Sequence, residues 1–254
     1  MRYLIIAIGL IIYTHELNAA TEMDFYASFG FLRANYADSD VHLNQADYDR
    51  KITYESLDGH DDMRAYKLNG YHVTNLQYYT RIGWFYDTNY AIEFGIAHFT
   101  YDNDINQKLR RHGKWDGALV DEVDTFGNNF KEWEHSNGIN NGYIAVGQQY
   151  EILTSGDFAI KSFFRIGAGL AIINSNSEIV NPDGQIDKYI SDDLKLGGFS
   201  LLASKALRVS YRHYFLEPAI EITGIRLQRV EVVNGYAKQD ILSLTGTLQI
   251  GRAF

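Results

Sequence analysis

Gln239–Phe254 reads QDILSLTGTLQIGRAF, and its spacing decides the fold. From Leu242 the even positions carry Leu242, Leu244, Gly246, Leu248, Ile250, Arg252 and Phe254. The odd positions carry Ser243, Thr245, Thr247, Gln249, Gly251 and Ala253. A period of two describes an extended strand with one apolar face and one small or polar face. The strand is long, and it ends on an aromatic residue.

The same period recurs upstream. Residues 24–36 place Phe25, Ala27, Phe29 and Phe31 on one face. Residues 72–86 alternate Leu76, Tyr78, Thr80, Ile82, Trp84 and Tyr86 against Asn75, Gln77, Tyr79, Arg81 and Gly83. Residues 90–101 oppose Tyr90, Ile92, Phe94 and Ile96 to Ala91, Glu93, Gly95 and Ala97. Further strands are expected over 140–151, 158–173, 195–208 and 213–229. The alternation is weakest in 195–208, where Phe199, Leu201, Ala203 and Leu207 are the preferred outer set. Pro218 lacks the ladder N–H and belongs at a bulge or near the start of its strand.

Eight strands result, and their connections sort by length. Polar stretches of tens of residues (37–71, 102–139 and 174–194) alternate with short links at Asp87-Thr88-Asn89, at Thr154–Asp157 and at 209–212. Val233-Asn234-Gly235 marks an intermediate link. The long stretches therefore gather at one end of an antiparallel array. Asn181-Pro182-Asp183-Gly184 is a turn signal inside the third of them. A long loop also has room for an extra hairpin.

Composition narrows the class. The 254 residues carry a net charge of −9, which argues against a nucleic-acid partner. There is no cysteine, so neither a disulfide framework nor a thiolate metal site can form. With 19 Tyr, 14 Phe and 22 Gly against 2 Pro, the chain suits strands, tight turns and interfacial aromatic belts. Arg2, the apolar run Tyr3–Tyr13 and the small residues Asn18-Ala19-Ala20 read as a secretory signal peptide over 1–20. The run is too short to cross a bilayer of ~30 Å as a helix. The mature chain, 21–254, is one domain.

These features resemble those of small bacterial outer-membrane β-barrels, the OmpA-like and OmpX-like superfamily. The closing strand ending on Phe254 carries the resemblance, with Arg252 where an apolar residue is usual. The resemblance implies an all-β fold: an eight-stranded antiparallel transmembrane up-and-down β-barrel with long extracellular loops, located in the cell outer membrane. Hydrocarbon offers backbone amides no partner, so only a helix or a closed sheet crosses it. Apolar side chains must then face lipid and polar ones the lumen. Implied partners are outer-membrane lipid and lipopolysaccharide, the barrel assembly machinery through the strand ending at Phe254, and a surface ligand at the outer loops. No cofactor is expected.

Period-two assignment turns Arg81, Glu93, Lys161, Arg165, Glu217 and Glu221 inward. Facing lipid, Arg or Lys would cost roughly 2–4 kcal/mol at the midplane. Facing inward they are expected to pair as an ion-pair network that plugs a narrow lumen; a polar channel is the alternative. Candidate chemistry lies at the outer rim. A hairpin is expected to bring His98 and Tyr101 beside Glu134, His135 and Ser136, a histidine, carboxylate and hydroxyl set suited to acyl transfer or hydrolysis. Among barrels of this size are lipid A palmitoyltransferases and deacylases, whose specific motifs are absent here. The plainer reading makes these residues polar rim groups. Asp58, His60, Asp61 and Asp62 form an acidic loop without calcium-loop spacing, so no metal site is assigned. Lys108, Arg110, Arg111, His112 and Lys114 form a basic patch that either contacts lipopolysaccharide phosphates or is simply solvated. Trp115 and Trp133 are expected to pack the second loop or touch a partner.

Overall fold

The structure, a computed structural model, describes residues 25–61, 77–191 and 193–254. The expected signal peptide over 1–20, Asp62 and the expected strand start at 72–76 lie outside the described residues. Among the described residues, fifteen strands form one antiparallel system. In chain order they are β1 (Phe25–Tyr36), β2 (Ser39–Gln45), β3 (Arg50–Leu57), β4 (Gly59–His60), β5 (Tyr78–Phe85), β6 (Tyr90–Asn103), β7 (Lys108–Trp115) and β8 (Ala118–Thr125). They continue with β9 (Phe130–Ser155), β10 (Phe158–Ile173), β11 (Asn176–Val180), β12 (Ile186–Ile190), β13 (Lys195–Tyr211), β14 (Tyr214–Val232) and β15 (Gly235–Ala253).

Eight of these close a barrel in the order β1-β5-β6-β9-β10-β13-β14-β15, with β15 pairing back to β1. The closing ladder sets Phe29 opposite Ile250 and Phe31 opposite Leu248. Each barrel strand corresponds to one expected from the alternation. Closure satisfies every ladder without leaving an edge at membrane depth. The apolar faces point outward: Leu244, Leu248 and Ile250 are 50%, 53% and 63% exposed, while Ser243, Thr245, Thr247 and Gln249 are buried. Ile82, Phe94, Ile144, Ile166, Leu201 and Ile220 continue this belt around the barrel. Polar residues interrupt it, among them Gln148 on β9 and Arg252 on β15, and one lysine does so on β13. Lys205 sits on the outward face of β13, opposite Phe164 on β10 and Ile220 on β14.

Three tight turns close one end, at Asp87–Asn89, Gly156-Asp157 and Arg212-His213. Gly156 and Arg212 adopt φ values of 58° and 54°, the left-handed conformation that two-residue hairpins need. Arg212 ties two of these turns together, donating its amide to the Asp157 carbonyl at 2.8 Å and its Nε to Asp157 Oδ2 at 3.0 Å. Pro218, the fifth residue of β14, makes no bulge. The ladder to β13 instead skips from Ala206–Ala219 to Val209–Leu216, while Pro218 stays in register with Leu248 on β15.

The opposite end differs from the expectation of long polar loops. Those stretches are largely strands. β15 pairs onward with β2, then β3, β7 and β8, while β9 pairs with β11 and β11 with β12. Their inward residues build a dry core. Val41, Leu43, Ile52, Tyr54, Phe126, Phe130, Trp133, Val230, Val232 and Ala237 are all buried. Phe126 and Phe130 stack at 4.5 Å, and Tyr54 meets both edge-on at 5.3 Å. The alternation exists here too, but in runs of two or three apolar residues against charged ones, as in SDVHLNQ, which is too short to register as a membrane-crossing strand.

The basic patch lies on β7, and four of its five residues meet acids on neighbouring segments. Arg110 forms a bidentate pair with Asp121 at 2.9 and 3.0 Å, and Arg111 pairs with Glu122 at 2.5 Å. His112 faces Glu55 at 3.2 Å and Lys114 faces Asp49 at 2.5 Å. Trp133 is core. Trp115 lies under the Arg50 guanidinium at 3.7 Å.

Candidate functional site: the lumen knot and the joint beneath the cap

The lumen is filled by charge. Glu217, from β14, accepts from Arg81 Nη1 at 2.8 Å on one oxygen and from Arg208 Nε at 2.6 Å on the other. Arg165 Nη2 lies 2.8 Å from the same Glu217 Oε1. Glu93 accepts from Arg165 Nε at 2.7 Å, lies 3.4 Å from Arg81 Nε and is hydrogen-bonded by the Tyr26 hydroxyl. Glu221 takes the Tyr79 hydroxyl at 2.8 Å and Thr223 Oγ1 at 3.0 Å. Arg81, Glu93, Arg165, Glu217 and Glu221 are each at most 2% exposed, so side chains occupy the full cross-section at this level.

The reason is local. Gly83 and Gly95 leave room for phenol rings: a Cβ there would lie 2.2 Å from Tyr26 and Tyr143 atoms respectively. The rings reach the charges across the lumen, where Arg81 Nε donates to Tyr143 at 3.3 Å. Of the six residues expected to pair, Arg81, Glu93, Arg165 and Glu217 do so, while Glu221 is held by hydroxyls alone. Lys161 does not, because it sits nearer the tight turns. Arg208 takes its place as the third base. Period two from Leu207 was the available signal for it, obscured by the weak pattern of 195–208.

The expected rim set is dispersed. Tyr101 does stand opposite His135. His98, however, lies on the other face of β6, stacked 5.0 Å on Tyr78 and 2.9 Å from Asn140 Oδ1. The two imidazoles are therefore on opposite sides of the wall. Glu134 also faces away from His135 and accepts from Asn176 Nδ2 at 3.1 Å. The Ser136 side chain lies outside the described ones. The hydroxyl that meets His135 is Ser175, with Oγ 2.6 Å from Nδ1.

This pair belongs to a buried hub around Gln239. Trp133 Nε1, which can only donate, meets Gln239 Oε1 at 3.1 Å. That fixes the amide orientation, so His135 Nε2, 3.2 Å from the same oxygen, carries a proton. His135 Nδ1 then accepts from Ser175. Gln239 Nε2 donates to Ser39 Oγ at 2.8 Å and Tyr101 at 2.9 Å. Burial pushes the His135 imidazole down to about 4 and the Tyr101 phenol up to about 12. The hub joins β2, β6, β9 and β15 where the barrel becomes the cap. Asp61, expected in an acidic loop, accepts from the Ala34 amide at 2.9 Å. Among the described residues no group of three or more His, Asp or Glu converges as a metal cluster.

No family model matches the chain, and no curated protein matches it. Solved structures similar to it are the outer membrane protein AlkL in lipid bilayers, OprG from Pseudomonas aeruginosa and the outer membrane protease OmpT from Escherichia coli. AlkL is 11% identical over 95% of each chain, with a TM-score of 0.43. OprG is 13% identical over 91% of this chain and 95% of its own, also at 0.43. OmpT is 10% identical over 94% and 99%, at 0.35. With its closed ladder and outward apolar belt, the chain has the build of a membrane-spanning antiparallel β-barrel.

Proposed function

We propose that the protein works at the cell surface, with the strand-built cap as its working part and the barrel as its anchor. The observation that carries this reading is the dry aromatic core of the cap around Tyr54, Phe126, Phe130 and Trp133. A segment that only linked strands would not need a core of its own. Lipopolysaccharide around the outer rim and a surface ligand on the cap are the partners of this reading. The assembly machinery, engaging the strand that ends at Phe254, is the partner during biogenesis.

The test replaces residues 106–127, which contain β7 and β8, by a short Gly-Ser link. Cells carrying this variant should keep a folded, inserted barrel and lose attachment to ligand-coated surfaces. Steady conductance of the purified protein in planar bilayers would instead favour a solute channel, against the filled lumen. One observation favours a second reading, a lipid A-modifying enzyme: the Ser175 hydroxyl donates to His135 as a nucleophile does to its base. Its test is the mass spectrum of lipid A from cells with the wild-type protein and with His135→Gln. A change present only with the wild type would support that reading over the first.

A further inference from the structure

The periplasmic end of the barrel holds a feature that the surface reading does not use. Below the ion-pair knot the lumen opens into a cavity of about 650 Å³, walled by residues of the three tight turns and by Ala253 near the end of β15. Small-molecule sites span roughly 300–1,000 Å³. Its lining combines aromatic surface, from Phe85, Tyr214 and Phe215, with the cations Lys161 and Arg208.

The two cations are differently held. Arg208 is clamped by three rings, its Cζ 4.2 Å from Tyr26, 4.2 Å from Phe163 and 4.0 Å from Phe215. Its Nε is bound to Glu217, yet its Nη2 has no hydrogen-bond partner, although the residue is only 4% exposed. A buried donor left unmade is unfavourable, and a guanidinium fork is preorganised for a planar or tetrahedral oxyanion. Lys161 is half-buried and makes no ion pair among the described residues. The acids at the same mouth are otherwise engaged or exposed. Asp157 holds Arg212 at 3.0 Å, Asp87 Oδ1 accepts the Asn89 amide at 3.3 Å, and Glu151, the register partner of Lys161, is exposed and beyond ion-pair distance of it.

We propose that this vestibule binds a small organic oxyanion, a carboxylate or phosphate monoester on an apolar body. The head group sits between Arg208 and Lys161, and the body lies against Phe85 and Phe215. Entry is from the periplasm, because the closed ladder bars the sides and the Arg81–Glu217 knot bars the outer end. The inference is independent of the cap, so its failure leaves the surface reading intact.

The experiment titrates the full mature chain in detergent micelles with phenyl phosphate, read by phosphorus NMR, and with benzoate as competitor. Inorganic phosphate and phenol serve as half-ligands. Saturable binding of phenyl phosphate or benzoate is expected, with each half-ligand at least tenfold weaker. Lys161→Gln, which lies outside the knot and leaves the fold intact, should weaken binding at least tenfold. Partition into the micelle would ignore that substitution. Arg208→Lys keeps a cation for Glu217 but removes the fork, and should weaken binding as well. Absence of saturable binding by both probes would overturn the proposal. So would affinity unchanged by Lys161→Gln, or inorganic phosphate binding as tightly as phenyl phosphate.

Discussion

Glu217 is the residue on which the lumen depends most, because three arginines converge on its two oxygens. Removing one partner of a buried ion pair leaves uncompensated charge and costs on the order of 3–5 kcal/mol. Glu217→Gln should therefore destabilise the barrel by about that much in denaturant unfolding followed by tryptophan fluorescence. Glu221→Gln, which disturbs only hydroxyl donors, should cost less. His135 gives a pH signature. Its imidazole stays neutral down to about 4 in the folded chain, against the usual 6.5. Between those values the unfolded chain binds a proton that the folded one excludes. Stability is thus intact above pH 6.5 and falls as pH drops toward 4, by up to about 3 kcal/mol. His135→Gln should flatten that slope in unfolding curves recorded between pH 4 and 7. Residue roles were only partly legible in the sequence. Glu93, Arg165 and Glu217 follow from parity alone, since a charge facing lipid is unfavourable. Ser175 does not, because its meeting with His135 depends on where β11 crosses the upper part of β9.

At the level of elements, a strand that crosses lipid declares itself through length: nine or so residues of unbroken alternation, as in β15. The cap strands β2 and β3 carry the same parity in shorter runs, with charged residues such as Asp40 and Lys51 on the outer face, while β7 and β8 bury almost nothing, and so all four resemble loops. Their pairing was hidden because it joins segments far apart in sequence, such as Gln239 on β15 with Val41 on β2. Lys205 is a charged misfit at this level. It lies six residues from both Phe199 and Tyr211 on the lipid face of β13. Lys205→Leu should stabilise the folded state, by up to roughly 2–4 kcal/mol if the site lies at the bilayer midplane. Equilibrium unfolding in lipid vesicles measures this; an unchanged or reduced stability would mean that the ammonium has a favourable environment there.

For the whole molecule, three layers stack along one axis: an open inner vestibule, a charged knot, and an apolar cap with its polar joint. The first two sit inside the belt; the third stands clear of it. What links them is the hairpin of β14 and β15, each 19 residues long. At about 3.3 Å per residue that is roughly 60 Å of strand, about twice what the bilayer needs. Along this hairpin the ladder slips register once, between Leu227 and Val230. The cap is therefore carried on a stiff mast instead of a tether. A load applied at its tip would turn and lean the barrel as one body instead of being lost in a hinge.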